Sequence, residues 1–442
     1  MMSENPQPQS TSREPPSRRD FLKTSTVAVV GGGLMGGLGI ARSAHAAGDD
    51  TIKIGLIGCG SRGSGAVIDA MRTQHNIKLV AMGDAFEDRL NGSLGNITNE
   101  LKNQGKSERI DVAKDRQFVG FDAYQKVLAA GVDLVILATP PGFRPIHFAA
   151  AVEAGKHVFM EKPVAVDAPG VRAVLAAAQV AKQKSLGVGV GLQRRHQAQY
   201  IETIKRLKDG AIGDILYTRV YWNGGGVWVN PRKEGETDMQ YQMRNWYYFN
   251  WLCGDHIVEQ HIHNLDVVNW LKNAYPVRAE GMGGRQVRTG KDYGEIYDHH
   301  AVEFEYADGS RMFSYCRHIP NCWESVSEHA HGTKGNSDIG DGRIEIAGGD
   351  RWRFRGDSPN PYVVEHHDLL SSIRSGSPIN EAEYGALSSM TSVFGRMATY
   401  SGKMLTWEEA INSQISLAPK QYTWDAEPPV PIVAMPGHTQ VV

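Results

Sequence analysis

The segment from Gly155 to Pro163 reads G-K-H-V-F-M-E-K-P and brings a carboxylate and an amine to the end of an apolar run. Val158 to Met160 predict a strand. Pro163 has no N–H to donate, so it ends the strand and keeps Lys162 out of helical geometry. An amine at that position can stabilise an alkoxide, because ligands of open α/β sheets bind at the carboxyl ends of the strands. A surface Glu–Lys pair before a turn is the alternative explanation.

A second group of ionisable residues lies between Asn250 and Leu271. If this stretch is one helix, Glu259, His263 and Asp266 share a face, and Asp255 lies one turn before them. A carboxylate four residues from a histidine can orient the ring and raise its basicity, as a general base requires. We therefore expect His263 and Glu259 to be catalytic, together with Lys162. A polar surface helix is the alternative.

A metal site is a further possibility for the same stretch. Glu259 and His263, with His256 or His261, have plausible ligand spacing. No matching cluster of cysteine or histidine reinforces them elsewhere in the sequence, so we expect no metal.

A glycine-rich loop precedes these groups by about one hundred residues. Residues 58–63 read G-C-G-S-R-G between a predicted strand and a predicted helix. In this pattern Gly58 permits a tight turn, Gly60 lets the backbone approach a diphosphate, and Gly63 lets the helix pack closely on the strand. The diphosphate is then expected at the helix N-terminus, where free N–H groups favour an anion.

Asp84 ends the second predicted strand, 24 residues past Gly60. A carboxylate at this place accepts both hydroxyls of an adenosine ribose and repels a 2′-phosphate. The sequence therefore predicts NAD as the cofactor. NADP remains possible because Arg62 and Arg89 lie close in the sequence.

The elements that position these residues fall into two groups. Strands 52–57, 77–82 and 132–138 alternate with helices 66–71, 124–130 and 146–154, which indicates a doubly wound parallel sheet. After residue 181 come short strands rich in aromatic and β-branched residues, at 215–222, 301–306, 311–316 and 343–346. Asp308-Gly309 between two of them predicts a hairpin. We expect an α/β chain with a dinucleotide-binding domain at 50–172, a substrate-binding α+β domain at 173–425 and an extended tail at 426–442.

The first 46 residues differ from the rest. Residues 17–23 read S-R-R-D-F-L-K, a glycine-rich, weakly hydrophobic segment follows, and Ala44-His45-Ala46 forms an A-x-A cleavage site. We predict a twin-arginine signal peptide, export to the periplasm and no stable membrane insertion after cleavage. An uncleaved anchor is the alternative. The 442-residue chain carries 47 basic and 49 acidic residues, and this balance argues against a nucleic-acid partner.

Taken together, these features resemble the Gfo/Idh/MocA oxidoreductases. The resemblance rests on the glycine loop, Asp84, A-T-P at 138–140, A-G-K-H-V at 154–158, E-K-P at 161–163 and the pair Glu259…His263. It implies an N-terminal Rossmann sheet, a large and mainly antiparallel open sheet in the second domain, and a homodimer or homotetramer. It also implies a cis Lys162–Pro163 bond and contact of Glu161 with the nicotinamide ribose. The cofactor-binding residues are then expected to be Gly58, Gly60, Ser61, Arg62, Gly63, Asp84, Thr139, Pro140, His147, Glu161 and Lys162.

The substrate of such an enzyme is a sugar or cyclitol. The family's polyol dehydrogenases carry an Asp where this chain has Glu259, and a glycine where it has His261, so the particular substrate stays open. The candidates for substrate binding are Arg194, Arg195, Tyr200, Asn245, Trp246, Tyr248 and Asp266.

We expect His263 to take the hydroxyl proton and Lys162 to stabilise the alkoxide, while hydride passes to a nicotinamide. Free NAD is scarce outside the cytoplasm, so we expect a tightly held cofactor that is recycled within the enzyme. An NAD-dependent glycoside hydrolase or lyase is the alternative. A non-catalytic sugar-binding protein is the third possibility.

Overall fold

The computed structural model describes residues 50–442, so the predicted signal peptide at residues 1–46 lies outside the described residues. A six-stranded parallel sheet forms the first part, in the order β3-β2-β1-β4-β5-β6. Its strands are β1 Ile52–Ile57, β2 Ile77–Asp84, β3 Gln117–Val119, β4 Leu134–Leu137, β5 His157–Met160 and β6 Val188–Val190. Its helices are α1 Ser61–Arg72, α2 Glu87–Asn103, α3 Ala123–Ala129, α4 Arg144–Glu153 and α5 Ala168–Gln183.

The inner strands are continuous apolar runs because helices cover the sheet on both faces. Every residue of β4 and β5 is buried. The parallel pairing of β1 with β2 and β4 places the carboxyl ends of these strands at one edge. The glycine loop follows β1, Asp84 is the last residue of β2, and Lys162 follows β5, which pairs in parallel with β4. The predicted doubly wound parallel sheet is confirmed.

The second sheet has nine strands in the order β14-β13-β12-β11-β7-β10-β9-β8-β15. Pairing is antiparallel except between β7 and β10. Its strands are β7 Ile215–Gly224, β8 Arg278–Gly284, β9 His299–Glu305, β10 Arg311–His318, β11 Ser325–Gly332, β12 Gly335–Asp338, β13 Arg343–Ile346, β14 Arg351–Arg353 and β15 Leu405–Thr406. The associated helices are α6 Ala198–Lys208, α7 Asp238–Arg244, α8 Asn250–Cys253, α9 His256–Glu259, α10 Ile262–Lys272, α11 Pro361–Arg374, α12 Ala382–Ser401 and α13 Trp407–Ile411.

The predicted hairpin at Asp308-Gly309 joins β9 to β10, where the Asp308 carboxylate accepts from the backbone N–H and the hydroxyl of Ser310 at 3.1 and 2.7 Å. The predicted mainly antiparallel open sheet is confirmed. Several of its strands were not predicted, because β8, β11 and β12 contain glycine, serine and histidine in place of an apolar run.

The prediction of one helix across residues 250–271 is wrong. Three short helices, α8, α9 and α10, occupy the stretch. Gly254 ends α8 with a φ of 78°, and Asp255 follows with a φ of 76°. The Asp255 carboxylate accepts hydrogen bonds from the backbone N–H of His256 at 2.5 Å and from that of Tyr297 at 2.9 Å. These bonds hold the chain in a conformation that no helix interior allows.

The long helix α12 packs against α5 and β8, and 17 of its 20 residues are buried. Small side chains let the neighbouring elements approach closely. Its buried hydroxyls bond to their own helix, as Ser389 does to the carbonyl of Gly385 at 2.7 Å and Thr399 to that of Gly395 at 3.2 Å. The hydroxyls of Ser389 and Thr399 therefore have hydrogen-bond partners although they are buried.

The C-terminal residues 428–442 contain no helix or strand and lie against the rest of the chain. The Tyr297 hydroxyl donates to the carbonyl of Ala434 at 2.9 Å, and the Ser413 hydroxyl donates to that of Val441 at 2.8 Å. Within residues 50–442, no helix is both long and apolar enough to cross a membrane.

The junction between the two sheets depends on Gly142, just after β4. A Cβ atom added there would lie 1.9 Å from the carbonyl oxygen of Trp251 in α8, and backbone atoms cannot yield.

We expect Gly142→Ala to lower the free energy of unfolding by about 2 kcal/mol, the usual size of an overpacking effect. Chemical denaturation measures it. The control is Gly92→Ala on the exposed face of α2, where a Cβ meets nothing within 4 Å, and a gain in stability of about 0.5–1 kcal/mol is expected. Equal stability of the two variants would contradict the close approach.

Candidate active site

A cavity of about 590 Å³ lies at the carboxyl ends of β1, β2, β4 and β5, and its size is typical of a small-molecule or cofactor site. One wall comes from the first sheet and includes the glycine loop, Asp84, Glu161 and Lys162. The other wall comes from the second part of the chain. It includes Trp222, Trp228, Trp246, Glu259, Gln260 and His263.

The glycine loop shapes the floor of this cavity. Gly58 has a φ of 98°, and a Cβ on it would lie 2.4 Å from the backbone nitrogen of Thr139. A Cβ on Gly63 would lie 2.0 Å from the carbonyl oxygen of Gly58. Gly60 differs, since a Cβ there meets nothing within 4 Å. Two glycines thus allow close packing, while the backbone at the third faces open space where a diphosphate can approach.

Asp84 lies directly beside this loop. Its carboxylate accepts from the backbone N–H of Cys59 at 2.6 Å and from that of Phe86 at 2.8 Å. Burial raises the pKa of Asp84, and the two amide hydrogen bonds act against that rise. The carboxylate is therefore held in one orientation at the cavity wall, with Arg89 also on that wall.

Lys162 and Glu259 meet across the cavity from different parts of the chain. The ammonium of Lys162 donates to the Glu259 carboxylate at 2.9 Å and to the Glu259 carbonyl at 2.6 Å. Both side chains are largely buried, with 14% and 13% exposed. The Lys162–Pro163 bond is cis, as the resemblance implies. The two hydrogen bonds to Glu259 hold the Lys162 amine between the end of β5 and the second wall.

His263 lies at the start of α10, on the cavity wall with this pair. Its ring stacks on Trp222, with the ring centroids 5.9 Å apart. Burial and, secondly, the positive charge of Lys162 hold the pKa of His263 well below its usual range. The imidazole is thus neutral near pH 7 and has a lone pair available to accept a proton.

Glu161 is held by two arginines. Arg62 of the glycine loop donates through Nε to the Glu161 carboxylate at 2.5 Å, and Arg144 donates to its carbonyl oxygen at 3.0 Å. His147 is also at the cavity, where its Nδ1 lies 3.2 Å from the Thr139 hydroxyl. Burial lowers the pKa of His147 to about 3, so this ring is neutral.

Of the eleven cofactor residues predicted from the sequence, all except Gly63 line the cavity. Gly63 packs against the loop behind it. All three predicted catalytic residues also line the cavity.

Of the predicted substrate residues, the structure brings Trp246 to the cavity and leaves the other six elsewhere. Arg194 forms an ion pair with buried Glu328, which also accepts from the hydroxyl of Tyr200 at 3.0 Å. Arg195 pairs with Asp266 at 2.7 Å. Buried charges need such partners, so Arg194, Arg195 and Asp266 are already paired within the protein. The Tyr200 hydroxyl is bound to the same Glu328.

The remaining two predicted residues have structural partners as well. The Asn245 side chain donates to the carbonyl of Asp292 at 2.7 Å and accepts from the backbone N–H of Asn230 at 2.9 Å. The Tyr248 hydroxyl donates to the carbonyl of Val227 at 3.2 Å. These contacts organise the loop before α8.

The group of possible metal ligands considered from the sequence is not assembled. His261 pairs with Ser314 at 2.8 Å, and Glu259 pairs with Lys162. Among residues 50–442, one group has ligand atoms close together, and it consists of Asp255, His256 and His300. It excludes both Glu259 and His263.

Sequence reasoning missed several residues of the cavity wall. Trp222, Trp228, Gln193, Gln260 and Tyr362 line it but were not predicted. Trp228 carried a usable signal in the sequence, because it lies two residues after a run of three glycines. The others come from separate elements and share no local pattern.

Gln260 is oriented by a chain of hydrogen bonds. Arg288 donates to Nδ1 of His318 at 2.5 Å, so the proton of that ring is on Nε2, which donates to the Gln260 carbonyl oxygen at 2.7 Å. The Gln260 amide NH₂ is consequently the group available to a substrate oxygen.

The residues present fit a dinucleotide and a hydroxylated substrate. Three residues that line the cavity each carry a buried polar atom with no partner among the described residues, namely Arg62 (Nη2), Gln193 (Oε1) and His263 (Nδ1). Buried polar groups are nearly always paired, so donors and acceptors without partners at one cavity indicate a polar ligand. The open approach at Gly60 and the carboxylate of Asp84 suit a diphosphate and a ribose.

Comparison with known proteins agrees with this geometry. Residues 52–191 match the GFO_IDH_MocA family, described as an oxidoreductase family with an NAD-binding Rossmann fold. Inositol 2-dehydrogenase of Rhizobium meliloti is 25% identical over 342 residues, covering 74% of this chain and 91% of that protein. The inositol 2-dehydrogenase/D-chiro-inositol 3-dehydrogenase of Shouchella clausii is 27% identical over 226 residues, 50% of this chain and 54% of that protein.

The fold is shared with solved structures. Aldose-aldose oxidoreductase from Caulobacter crescentus, complexed with glycerol, superposes with a TM-score of 0.63 at 19% identity. The match covers 81% of this chain and 100% of that one.

Asp84 gives a test of cofactor choice. We expect Asp84→Ser to raise the affinity for NADP relative to NAD by about tenfold, because it removes the repulsion between a carboxylate and a 2′-phosphate. Fluorescence titration with both dinucleotides measures the ratio. Asp122→Ser is the matched control, since Asp122 does not itself line the cavity, and its carboxylate is 55% exposed and pairs with Lys126. An unchanged ratio in Asp84→Ser would remove this residue from the ribose site.

Proposed function

We propose that this chain, an NAD-binding oxidoreductase whose residues 52–191 match the Gfo/Idh/MocA family, oxidises a hydroxyl-bearing carbon of a cyclitol or sugar. The observation that carries the proposal is the meeting of Lys162, Glu259 and His263 at one cavity with the glycine loop and Asp84. The names of the two inositol dehydrogenases support a cyclitol as the first substrate to test.

In this proposal Lys162 contacts the reacting oxygen. Its ammonium can donate one hydrogen to that oxygen while it keeps the bond to Glu259 at 2.9 Å. A positive charge beside the hydroxyl stabilises the alkoxide that forms as the proton leaves, and a preorganised charge of this kind is usually the largest catalytic term. Glu259 holds the ammonium in place and offsets its charge.

His263 receives the hydroxyl proton. The ring is neutral near pH 7, because burial and Lys162 disfavour its protonated form. Trp222 fixes the ring plane by stacking on it. A bound nicotinamide ring supplies the hydride acceptor for the substrate carbon. The residues of the chain therefore handle the proton and the oxygen charge.

We further propose that residues 1–46 direct export by the twin-arginine pathway and that the cofactor stays bound during turnover. The support is the S-R-R-D-F-L-K sequence and the A-x-A site. Since free NAD is scarce in the periplasm, a second substrate would restore the oxidised cofactor within the enzyme.

We also propose that two copies associate through the open face of the second sheet. This face carries neighbouring aromatic side chains on adjacent strands, including Tyr217 beside Phe313 and Tyr221 stacked on Tyr315. Tyr315 is 39% exposed.

Lys162→Met tests the chemical role. We expect turnover with myo-inositol, or with the best sugar of a panel, to fall by about 10²–10³-fold, while the Kd for NAD changes by less than about threefold. Lys156→Met, at the opposite end of β5, is the control and should retain activity. Near-normal turnover in Lys162→Met would refute the assignment.

The pH dependence of kcat/KM in the wild type tests the role of His263. The apparent pKa of its acid limb should lie below the usual pKa of a histidine, about 6.5, because the pKa of His263 is lowered.

Export and cofactor retention are tested together by cell fractionation. The wild type should appear in the periplasm with Ala47 as its first residue and close to one nicotinamide per chain, as measured by mass spectrometry after denaturation. Replacing both Arg18 and Arg19 by Lys should leave the chain in the cytoplasm with its cofactor still bound. Periplasmic protein without nicotinamide would contradict the retention of the cofactor, and an unprocessed wild type would contradict the signal peptide.

A further inference from the structure

Residues 225–249 connect β7 to α8 and are called the bridging segment here. The segment contributes a wall of the cavity through Trp228, Asn230, Met243, Arg244 and Trp246. From β2, α2 and the loops beside them, the wall of the same cavity contains Asp84, Phe86, Arg89 and Phe121. The bridging segment therefore borders the end of the cavity where Asp84 marks the ribose site.

Arg244 connects the bridging segment to the start of α2, at Phe86 and Asp88. Its guanidinium forms two hydrogen bonds with the Asp88 carboxylate, at 3.0 and 2.9 Å. The same guanidinium lies 4.1 Å above the ring of Phe86. A third partner is Glu236, 3.4 Å away and within the segment itself. Phe86 and Asp88 lie two and four residues after Asp84, so Arg244 joins the two walls beside the ribose site.

The C-terminal region adds a second connection over the same place. The ring of Trp424 lies 5.0 Å from that of Phe86 and 4.6 Å from that of Phe121. Its carbonyl accepts from the hydroxyl of Thr237 in the bridging segment at 3.2 Å. One hydrophobic cluster contains residues from all three regions, including Phe143, Met243 and Trp424. The bridging segment, the C-terminal region and the first part of the chain are thus joined here by contacts within the one chain.

We propose that the bridging segment and Trp424 form a clasp over the adenosine half of the dinucleotide, with the Arg244–Asp88 pair as its latch. The proposal rests on the NAD-dependent function above and explains how the cofactor is retained. The cavity that holds the glycine loop and Asp84 is also lined by Phe86, Phe121 and Arg244, and Trp424 packs on the two phenylalanine rings. In this proposal the Arg244–Asp88 pair and the contacts of Trp424 separate before the adenosine half leaves, so clasp opening limits release.

The contacts of the clasp predict a particular kinetic signature. Each contact joins two residues of the chain and none of them involves the cofactor. Weakening a contact therefore opens the path for cofactor entry as well as for release. Both rate constants should rise together, and the Kd should change much less. A residue that instead binds the cofactor directly would raise the release rate and the Kd in proportion.

The variants Arg244→Ala and Trp424→Ala test the clasp in the purified full chain. Cofactor release is followed after loading with radiolabelled NAD and adding excess unlabelled NAD, and association is followed by stopped-flow fluorescence. We expect Arg244→Ala to raise both rate constants by about tenfold, the factor expected from losing an exposed ion pair and a cation–π contact together. The Kd should stay within about threefold, and less nicotinamide should remain per chain after gel filtration.

The control is Arg232→Ala, in the same segment. Arg232 pairs with Asp238 at 2.6 Å and with the carbonyl of Glu236 at 2.7 Å, both within the bridging segment. Its rate constants should match the wild type. If Arg244→Ala fails to fold, Arg244→Lys keeps the charge but loses the bidentate geometry, and it should accelerate both steps by a smaller factor.

The outcomes separate the clasp from the underlying function. A wild type that binds no NAD would refute the proposed function. A wild type that binds NAD, with unchanged rate constants in Arg244→Ala and Trp424→Ala, would refute the clasp alone. A release rate and a Kd that rise in proportion would also overturn the clasp and make Arg244 a direct cofactor ligand.

Added salt should speed release in the wild type but not in Arg244→Ala, because the Asp88 carboxylate is 62% exposed and open to screening.

Discussion

The ion pair between Lys162 and Glu259 is the contact on which the rest of the site depends. It joins the end of a parallel strand in the first sheet to a short helix of the second part of the chain, with Nζ and Oε1 2.9 Å apart. A largely buried ammonium is costly without a partner, so the two walls of the cavity are held in register by this requirement. His263 lies at the start of α10, the helix after α9, which carries Glu259. The pKa of His263 is lowered partly by the charge of Lys162.

Breaks in regular structure make this arrangement possible. A continuous helix from residue 250 would place Glu259 and His263 on one face, one turn apart. The structure instead ends α9 at Glu259 and begins α10 at Ile262. The Glu259 carbonyl, freed from helical bonding at that end, accepts from the ammonium of Lys162 at 2.6 Å. Asp255, with its positive φ and buried hydrogen bonds, fixes the direction of the segment.

Much of the site was predictable because it follows short, local patterns. The glycine loop, Asp84 and the E-K-P run each follow a buried parallel strand, and parallel strands bring their carboxyl ends to one edge. The predicted substrate residues were far less informative. Arg195 and Asp266 were chosen for chemistry that sugars favour, yet they pair with each other. A sequence shows which side chains carry charge, but only the fold shows which charges already neutralise one another.

The sequence by itself determined the doubly wound sheet, the antiparallel second sheet, the glycine loop, the strand-end lysine and the carboxylate of Asp84 that favours NAD, since all of these follow from the periodicity and residue type of contiguous segments. Only the tertiary structure decided what surrounds them. The break before α10, the orientation of Gln260 through His318 and Arg288, and the approach of Arg244 and Trp424 to Phe86 depend on residues far apart in the chain. The physical reason is that packing and the pairing of buried polar groups are settled between elements, where local periodicity carries no information.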